Sequence, residues 1–87
     1  MASALGVGID VSKDKVDVAV SDGPWHATFL QTRAGLDQLV SKLTSLDAHR
    51  VVLEASGGYE RALLAALAAA SLPEPVNVNG WRTFLIL

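Results

Sequence analysis

Two acidic residues in apolar surroundings are the best candidates for chemistry in this sequence of 87 residues. Asp10 lies in the run 5–11, where the other residues are apolar or glycine, and Glu54 ends the short run Arg50–Glu54. A buried carboxylate costs free energy unless a cation, hydrogen-bond donors or a proton accompany it. Gly8, on the same strand face as Asp10, leaves room for a substrate backbone to approach.

Asp10 and Glu54 together suggest a metal site. Neighbouring strands lie about 4.8 Å apart, so two carboxylates at matching height can share one divalent ion. Oxygen ligands suit Mg²⁺ or Mn²⁺, and such ions stabilise the attacking and leaving oxygens of phosphodiester chemistry. The alternatives stay open: Asp10 as a cap for the following turn, and Glu54 as a solvated strand end paired with Arg61. Taken as a pair, the two acids favour a metal-binding role over these alternatives.

A glycine loop provides weaker candidates for contacts to nucleic acid. Ser56, Gly57 and Gly58 precede a predicted helix, whose exposed backbone N–H groups suit an anion. The alternative is an ordinary loop in which Ser56 or Gly58 caps the helix. With Tyr59 of the same loop and Lys13 of an earlier polar turn, which a simple turn explains equally well, these residues form a weak nucleic-acid-binding prediction.

The hydrophobic pattern predicts which elements position these residues. Alternating apolar residues predict strands, and leucines at helical spacing after Thr32, a suitable N-cap, predict the first helix. An alanine- and leucine-rich stretch ended by Pro73 predicts the second helix. The predicted strands cover residues 5–11, 16–21, 25–31, 50–54 and 76–78, and the second helix covers residues 59–70.

The predicted order is therefore β-β-β-α-β-α-(β), an α/β fold. The first three strands form an antiparallel meander. A strand, crossover helix and strand place the run Arg50–Glu54 parallel to and beside the first strand. This is the opening order of the ribonuclease-H-like fold.

Composition narrows the classes of function. The formal net charge of −2 gives no basic footprint for nucleic acid, so a local patch, a metal or another domain must supply it. The absence of cysteine excludes disulfides and thiolate zinc sites and fits a cytoplasmic protein. The N-terminus does not resemble a signal peptide, and no apolar run approaches the roughly 18 to 20 residues that span a bilayer, so no membrane partner is expected.

Two separate motifs resemble one family. Residues 8–13 (GIDVSK), followed by residues 16–20 (VDVAV), resemble the opening of the DEDD-type insertion-sequence transposases, the "IS one-ten" family related to the pilin-gene invertase. Residues 35–39 (GLDQL) and 52–60 (VLEASGGYE) resemble the same family, which usually has Thr in place of Ser56. The resemblance runs from about residue 5 to residue 72.

The resemblance implies a RuvC-like, ribonuclease-H-type catalytic domain in which four acidic residues hold Mg²⁺ for DNA cleavage and exchange. It implies DNA as substrate, an element-encoded guide RNA, an oligomeric intact protein and a downstream domain with a serine nucleophile. By this resemblance Asp10 and Glu54 are the first two catalytic and metal-binding acids. The other two would fall at or beyond residues 79–84, but no Asp or Glu follows Glu74. We therefore expect a truncated transposase with little or no activity, with residues 1–78 as a partial RuvC-like domain and residues 79–87 as a divergent tail.

Two other classes of function remain as alternatives. The actin-like sugar and acyl-phosphate kinases share the strand order and open with an Asp in a glycine-containing strand. They need a Gly/Thr-rich phosphate hairpin, which residues 11–14 (VSKD) do not provide. A non-catalytic nucleic-acid-binding or regulatory module would require a basic face, which the net charge does not indicate.

Overall fold

Five strands and two helices follow one another in the predicted order. The computed structural model describes residues 6–20, 25–46, 50–55 and 57–77. The elements are β1 (Gly6–Val11), β2 (Lys15–Val20), β3 (His26–Leu30), α1 (Arg33–Leu46), β4 (Arg50–Glu54), α2 (Arg61–Ala69) and β5 (Val76–Asn77). This mixed α/β order agrees with the predicted ribonuclease-H-like fold class.

The strands form one mixed sheet in the order β3-β2-β1-β4-β5. Short connections make the β1–β2 and β2–β3 pairs antiparallel, and the helical connections make the β1–β4 and β4–β5 pairs parallel. The predicted placement of β4 beside β1 is confirmed. The crossover through α1 is thus what brings two acids that are far apart in the chain onto neighbouring strands.

Alternation along the central strands gives the sheet one strongly apolar face. Ile9 of β1 is fully buried on this face, flanked by Val18 of β2 and Leu53 of β4. Leucines of both helices join the same cluster: Leu36, Leu39, Leu43, Leu63 and Leu67. Both described helices therefore pack on this face. The residues between the core residues of each strand, such as Gly8 and Asp10 of β1, lie on the other face.

The start of α1 is fixed by its cap and by a close contact with β3. The hydroxyl oxygen of Thr32 accepts a hydrogen bond from the Gly35 N–H at 3.0 Å, which confirms the predicted N-cap. An ideal Cβ on Gly35 would lie 2.1 Å from the carbonyl oxygen of Leu30. Only glycine leaves room for the first turn of α1 to lie so close to the end of β3.

The second helix starts two residues later than the sequence predicted. Gly57 and Gly58 have φ angles of +72° and +80°, a left-handed conformation that glycine adopts without a steric penalty. The turn that follows them uses Tyr59 and Glu60, so α2 begins at Arg61. The left-handed glycines therefore extend the loop after β4 at the expense of the helix.

The end of α2 is a Schellman motif with an unusual residue. The Leu72 N–H donates to the Leu67 carbonyl and the Ser71 N–H donates to the Ala68 carbonyl, both at 3.0 Å. Ser71 has φ 57°, at the position where glycine is usual. Pro73 follows, as predicted for the helix end.

Some predictions fall outside the described residues, among them the divergent tail at residues 79–87. Within the ranges that the structure does describe, no helix is long and apolar enough to cross a bilayer.

Candidate active site

Asp10 and Glu54 are direct neighbours in the sheet. The parallel register of β1 and β4 pairs Asp10 with Glu54, just as it pairs Ile9 with Leu53 one residue earlier. Residues paired in this way point to the same face, and their strands lie about 4.8 Å apart. Because Ile9 and Leu53 face the core, the two acids face the opposite side. Both acids are half-buried.

The strand ends explain why the two acids meet. Glu54 is the last residue of β4 and Asp10 is the next to last of β1. Since β1 and β4 run parallel, their carboxyl ends lie at the same edge of the sheet. On the same face, Gly8 lies two residues before Asp10 and pairs with Ala19 of β2 and Val52 of β4. Gly8 is buried, so the approach for a substrate backbone that the sequence suggested is not open at this glycine.

A third acid lies in the same row. Asp17 of β2 pairs with Asp10 on the side away from Glu54, and Thr28 of β3 pairs with Asp17. The Thr28 hydroxyl donates a hydrogen bond to Asp17 Oδ1 at 2.5 Å. The candidates drawn from the sequence do not include Asp17, although its alignment with Asp10 follows from the short turn between β1 and β2, which fixes the hairpin register.

The pair of carboxylates suits a small divalent ion. Mg²⁺ is usually held by one or two protein carboxylates together with waters and substrate phosphates, which is what Asp10 and Glu54 can offer. Among the residues that the structure describes, no group of three or more acidic, histidine or cysteine side chains could hold a metal. Within these residues, Asp10 and Glu54 are neighbouring carboxylates, and Asp17, hydrogen-bonded to Thr28, lies beside Asp10.

The turn after β1 carries Lys13. Both the backbone N–H and the hydroxyl of Ser12 donate to the Lys15 carbonyl, at 3.0 and 2.9 Å. These bonds close a tight turn in which Lys13 is exposed. The ammonium group is thus available near the end of β1, two residues beyond the strand that holds Asp10.

The loop after β4 carries the other weak candidates. Gly57 is exposed, Gly58 is half-buried and Tyr59 is 45% exposed, whereas Ser56 lies outside the described residues. The side-chain amide of Gln31 donates to the Tyr59 carbonyl at 2.7 Å and to the Ser12 carbonyl at 3.2 Å. This amide brings the loop after β4 and the turn with Lys13 together.

The start of α2, predicted as an anion site, already has an acid beside it. Glu60 is the N-cap residue but its side chain makes no capping hydrogen bond, and the Arg61 N–H donates to the Gly58 carbonyl at 3.3 Å. Glu60 Oε1 is buried and has no hydrogen-bond partner. A carboxylate near a helix N-terminus is favoured by the helix dipole, as a phosphate would be.

Trp25 and His26 lie at the start of the edge strand β3. Trp25 packs against the core, with the Lys42 ammonium 4.9 Å from its ring centre. His26 is exposed on the edge strand β3. His49 and Trp81 lie outside the described residues.

Comparison with known proteins identifies the family. The sequence model of the DEDD transposases of the IS110 (IS one-ten) group, described as "Transposase", matches residues 7–81. The match spans β1 to β5, includes both Asp10 and Glu54, and runs three residues past the predicted domain boundary at residue 78. A search of curated proteins gives no match. Since the match covers most of the sequence and the fold agrees with it, the chain belongs to the DEDD transposase family of the IS110 group.

Proposed function

We propose that this chain provides part of a Mg²⁺-dependent active site for the cleavage and exchange of DNA strands, with Asp10 and Glu54 as two of its metal-binding carboxylates. The observation that carries the proposal is the direct pairing of the two acids across β1 and β4. Family membership supplies the reaction class. It also favours this function over the actin-like kinases, because the family match covers the same strands.

The two acids would hold the ion from neighbouring strands. Carboxylates fixed in a sheet need little reorganisation to bind, because backbone pairing already sets the distance between their strands. When bound there, Mg²⁺ or Mn²⁺ supplies charge stabilisation for the oxygens of a phosphodiester. Mg²⁺ is the expected ion, because it commonly binds through few protein ligands.

DNA is the proposed partner, and the loops beside the acids are the proposed contacts. Lys13 follows β1, and Gly57, Gly58 and Tyr59 lie in the loop after β4. Ser56 precedes them in the sequence and is proposed as a further contact. Because the formal net charge is −2, attraction to DNA would depend on these local groups and on the ion. The element-encoded guide RNA, an oligomeric assembly and a cytoplasmic location are carried over from the family as further parts of the proposal.

We propose that these 87 residues on their own provide only part of the family's active site and little of its activity. Residues 1–78 would form part of a RuvC-like catalytic domain and residues 79–87 a divergent tail. The family uses four acids, and this sequence contains no Asp or Glu after Glu74. Two acids cannot reproduce a two-ion arrangement around the attacking and leaving oxygens.

A Mn²⁺ titration tests the site without requiring activity. In the ¹⁵N-labelled protein, paramagnetic Mn²⁺ should broaden the amide signals around Asp10 and Glu54 first. Asp10→Asn and Glu54→Gln each remove one anionic ligand, so each should weaken binding at least about tenfold. Asp37→Asn and Glu74→Gln are matched controls, because both residues are exposed and neither is in the acid row. Unchanged broadening in both site variants would refute the assignment.

A further inference from the structure

Gln31 forms hydrogen bonds with three separate backbone positions. It follows β3, and its backbone N–H donates to the Asp14 carbonyl at 2.9 Å. Its side-chain nitrogen donates to the Ser12 carbonyl at 3.2 Å and to the Tyr59 carbonyl at 2.7 Å. A primary amide has two N–H groups, so both donors are used.

The two carbonyls bound by this amide belong to the segments that follow the two acids in the chain. Ser12 is the first residue after β1 and lies two residues after Asp10. Tyr59 lies in the loop between Glu54 and α2. Backbone pairing aligns β1 with β4 as far as Asp10 and Glu54. Beyond that pair, the amide of Gln31 continues the connection between the two segments.

The loop after β4 has a particular need for such a connection. Its Gly57 and Gly58 are both left-handed, so this stretch has neither strand nor helix geometry. The ring of Tyr59 packs close to Gly57, within 3.3 Å of the position that a Cβ would occupy. The bond from Gln31 to the carbonyl of Tyr59 therefore fixes this loop at its aromatic residue.

We propose that Gln31 is a positioning residue for the metal site: it holds the segments after β1 and β4 together so that Asp10 and Glu54 keep a shared orientation. The inference rests on the proposed function of the two acids. Gln31 acts through the two backbone carbonyls and does not touch the ion. Groups that hydrogen-bond directly to metal ligands usually change metal affinity about 10- to 100-fold when replaced. Gln31 bonds to residues that follow the ligands in the chain, so we expect an effect at the lower end of this range.

Two substitutions distinguish an effect of Gln31 on ligand positions from an effect of charge on cation binding. Gln31→Met keeps most of the side-chain length and removes both donors without adding charge. Gln31→Glu keeps the shape, removes both donors and adds a negative charge near the two carbonyls. Simple electrostatics predicts that this charge tightens cation binding, whereas positioning predicts weaker binding in both variants. The matched controls are Gln38→Met and Gln38→Glu, at an exposed position of α1.

The experiment is a Mn²⁺ titration of the ¹⁵N-labelled 87-residue protein. Binding is measured from the broadening of the amide signals of Asp10 and Glu54. We expect about tenfold weaker binding in both Gln31 variants and no change in either Gln38 variant. Urea unfolding of each variant shows whether the protein is folded under titration conditions. A purely structural role would lower stability but leave the Mn²⁺ affinity of the folded protein unchanged, and that result would overturn the proposal.

Amide hydrogen exchange gives a second measurement that needs no metal. Gln31→Met should speed exchange in residues 12–14 and 57–60 together, and Gln38→Met should change neither. Unchanged exchange in residues 57–60 would refute the connection itself. If the unsubstituted protein shows no broadening at Asp10 and Glu54, the proposed metal function fails, and exchange alone then decides whether Gln31 joins the loops. If Gln31→Glu does not fold, Gln31→Met still decides both measurements.

Discussion

A single methyl group added at Gly35 should force α1 away from β3. Gly35 is buried in the first turn of the helix. An ideal Cβ there would lie 2.1 Å from the carbonyl oxygen, 2.9 Å from the carbonyl carbon and 3.0 Å from the nitrogen of Leu30. All three atoms are backbone, so no side-chain rotation can relieve the contact in Gly35→Ala. The helix or the strand end must move.

The expected cost follows from two opposing terms. In an exposed helix, replacing Gly by Ala stabilises by about 1 kcal/mol. A carbon–oxygen contact needs about 3.3 Å, so the first turn of α1 must shift by roughly 1 Å. Inserting a methyl group into a packed site costs about 1–3 kcal/mol, and a backbone obstacle favours the upper end. The net loss should be about 2 kcal/mol, a large share of the roughly 4–13 kcal/mol typical for a chain of this length.

Urea unfolding followed by circular dichroism measures this loss. Gln38→Ala and Gln38→Gly, at an exposed position of the same helix, provide the control. There the Ala variant should be the more stable by about 1 kcal/mol, so the order of Ala and Gly should reverse between positions 35 and 38. If Gly35→Ala unfolded at the same or a higher urea concentration than the unsubstituted protein, the close contact with Leu30 would be wrong.

Three further predictions follow from the ends of the helices, the proposed site and the surface. Ser71→Gly should raise the free energy of unfolding by about 1 kcal/mol, because glycine avoids the cost of a left-handed φ; no gain in urea midpoint would contradict this. The purified chain should show little or no Mg²⁺-dependent DNA cleavage or joining, and robust recombination in a strand-transfer assay would refute this. Leu30 is 62% and Val76 61% exposed on the sheet face opposite the core cluster, so the chain should self-associate. A monomer in sedimentation, together with one sharp urea transition of normal slope for this length, would argue against self-association.

The strand order and the acid pair could be predicted because both follow from local pattern and one topological rule. Alternation of valines fixes which face each residue of β1 and β2 occupies, and a one-residue slip would expose the whole core. The crossover through α1 then places β4 parallel to β1. Asp10 and Glu54 meet as a consequence, without any information about side-chain contacts.

The rest of the site depends on contacts between loops, which leave no periodic pattern. Nothing in the type or position of Gln31 indicates that its amide reaches both Ser12 and Tyr59, since the two partners belong to separate segments. The later start of α2 depends on the left-handed conformation of Gly57 and Gly58, and glycine permits that conformation without requiring it.

One face of the sheet packs against the helices, and the other face carries Asp10, Glu54 and Asp17. Leucines of α1 and α2 cover the face that includes Ile9 and Leu53, and this packing buries both residues. The acid row lies on the opposite face, and neither of the two helices in the described part of the chain packs there. Gly8 and Val52 are buried on this face, whereas Asp10 and Glu54, near the carboxyl ends of β1 and β4, are half-buried. The same alternation that buries Ile9 therefore turns Asp10 to the face where the proposed ion would bind.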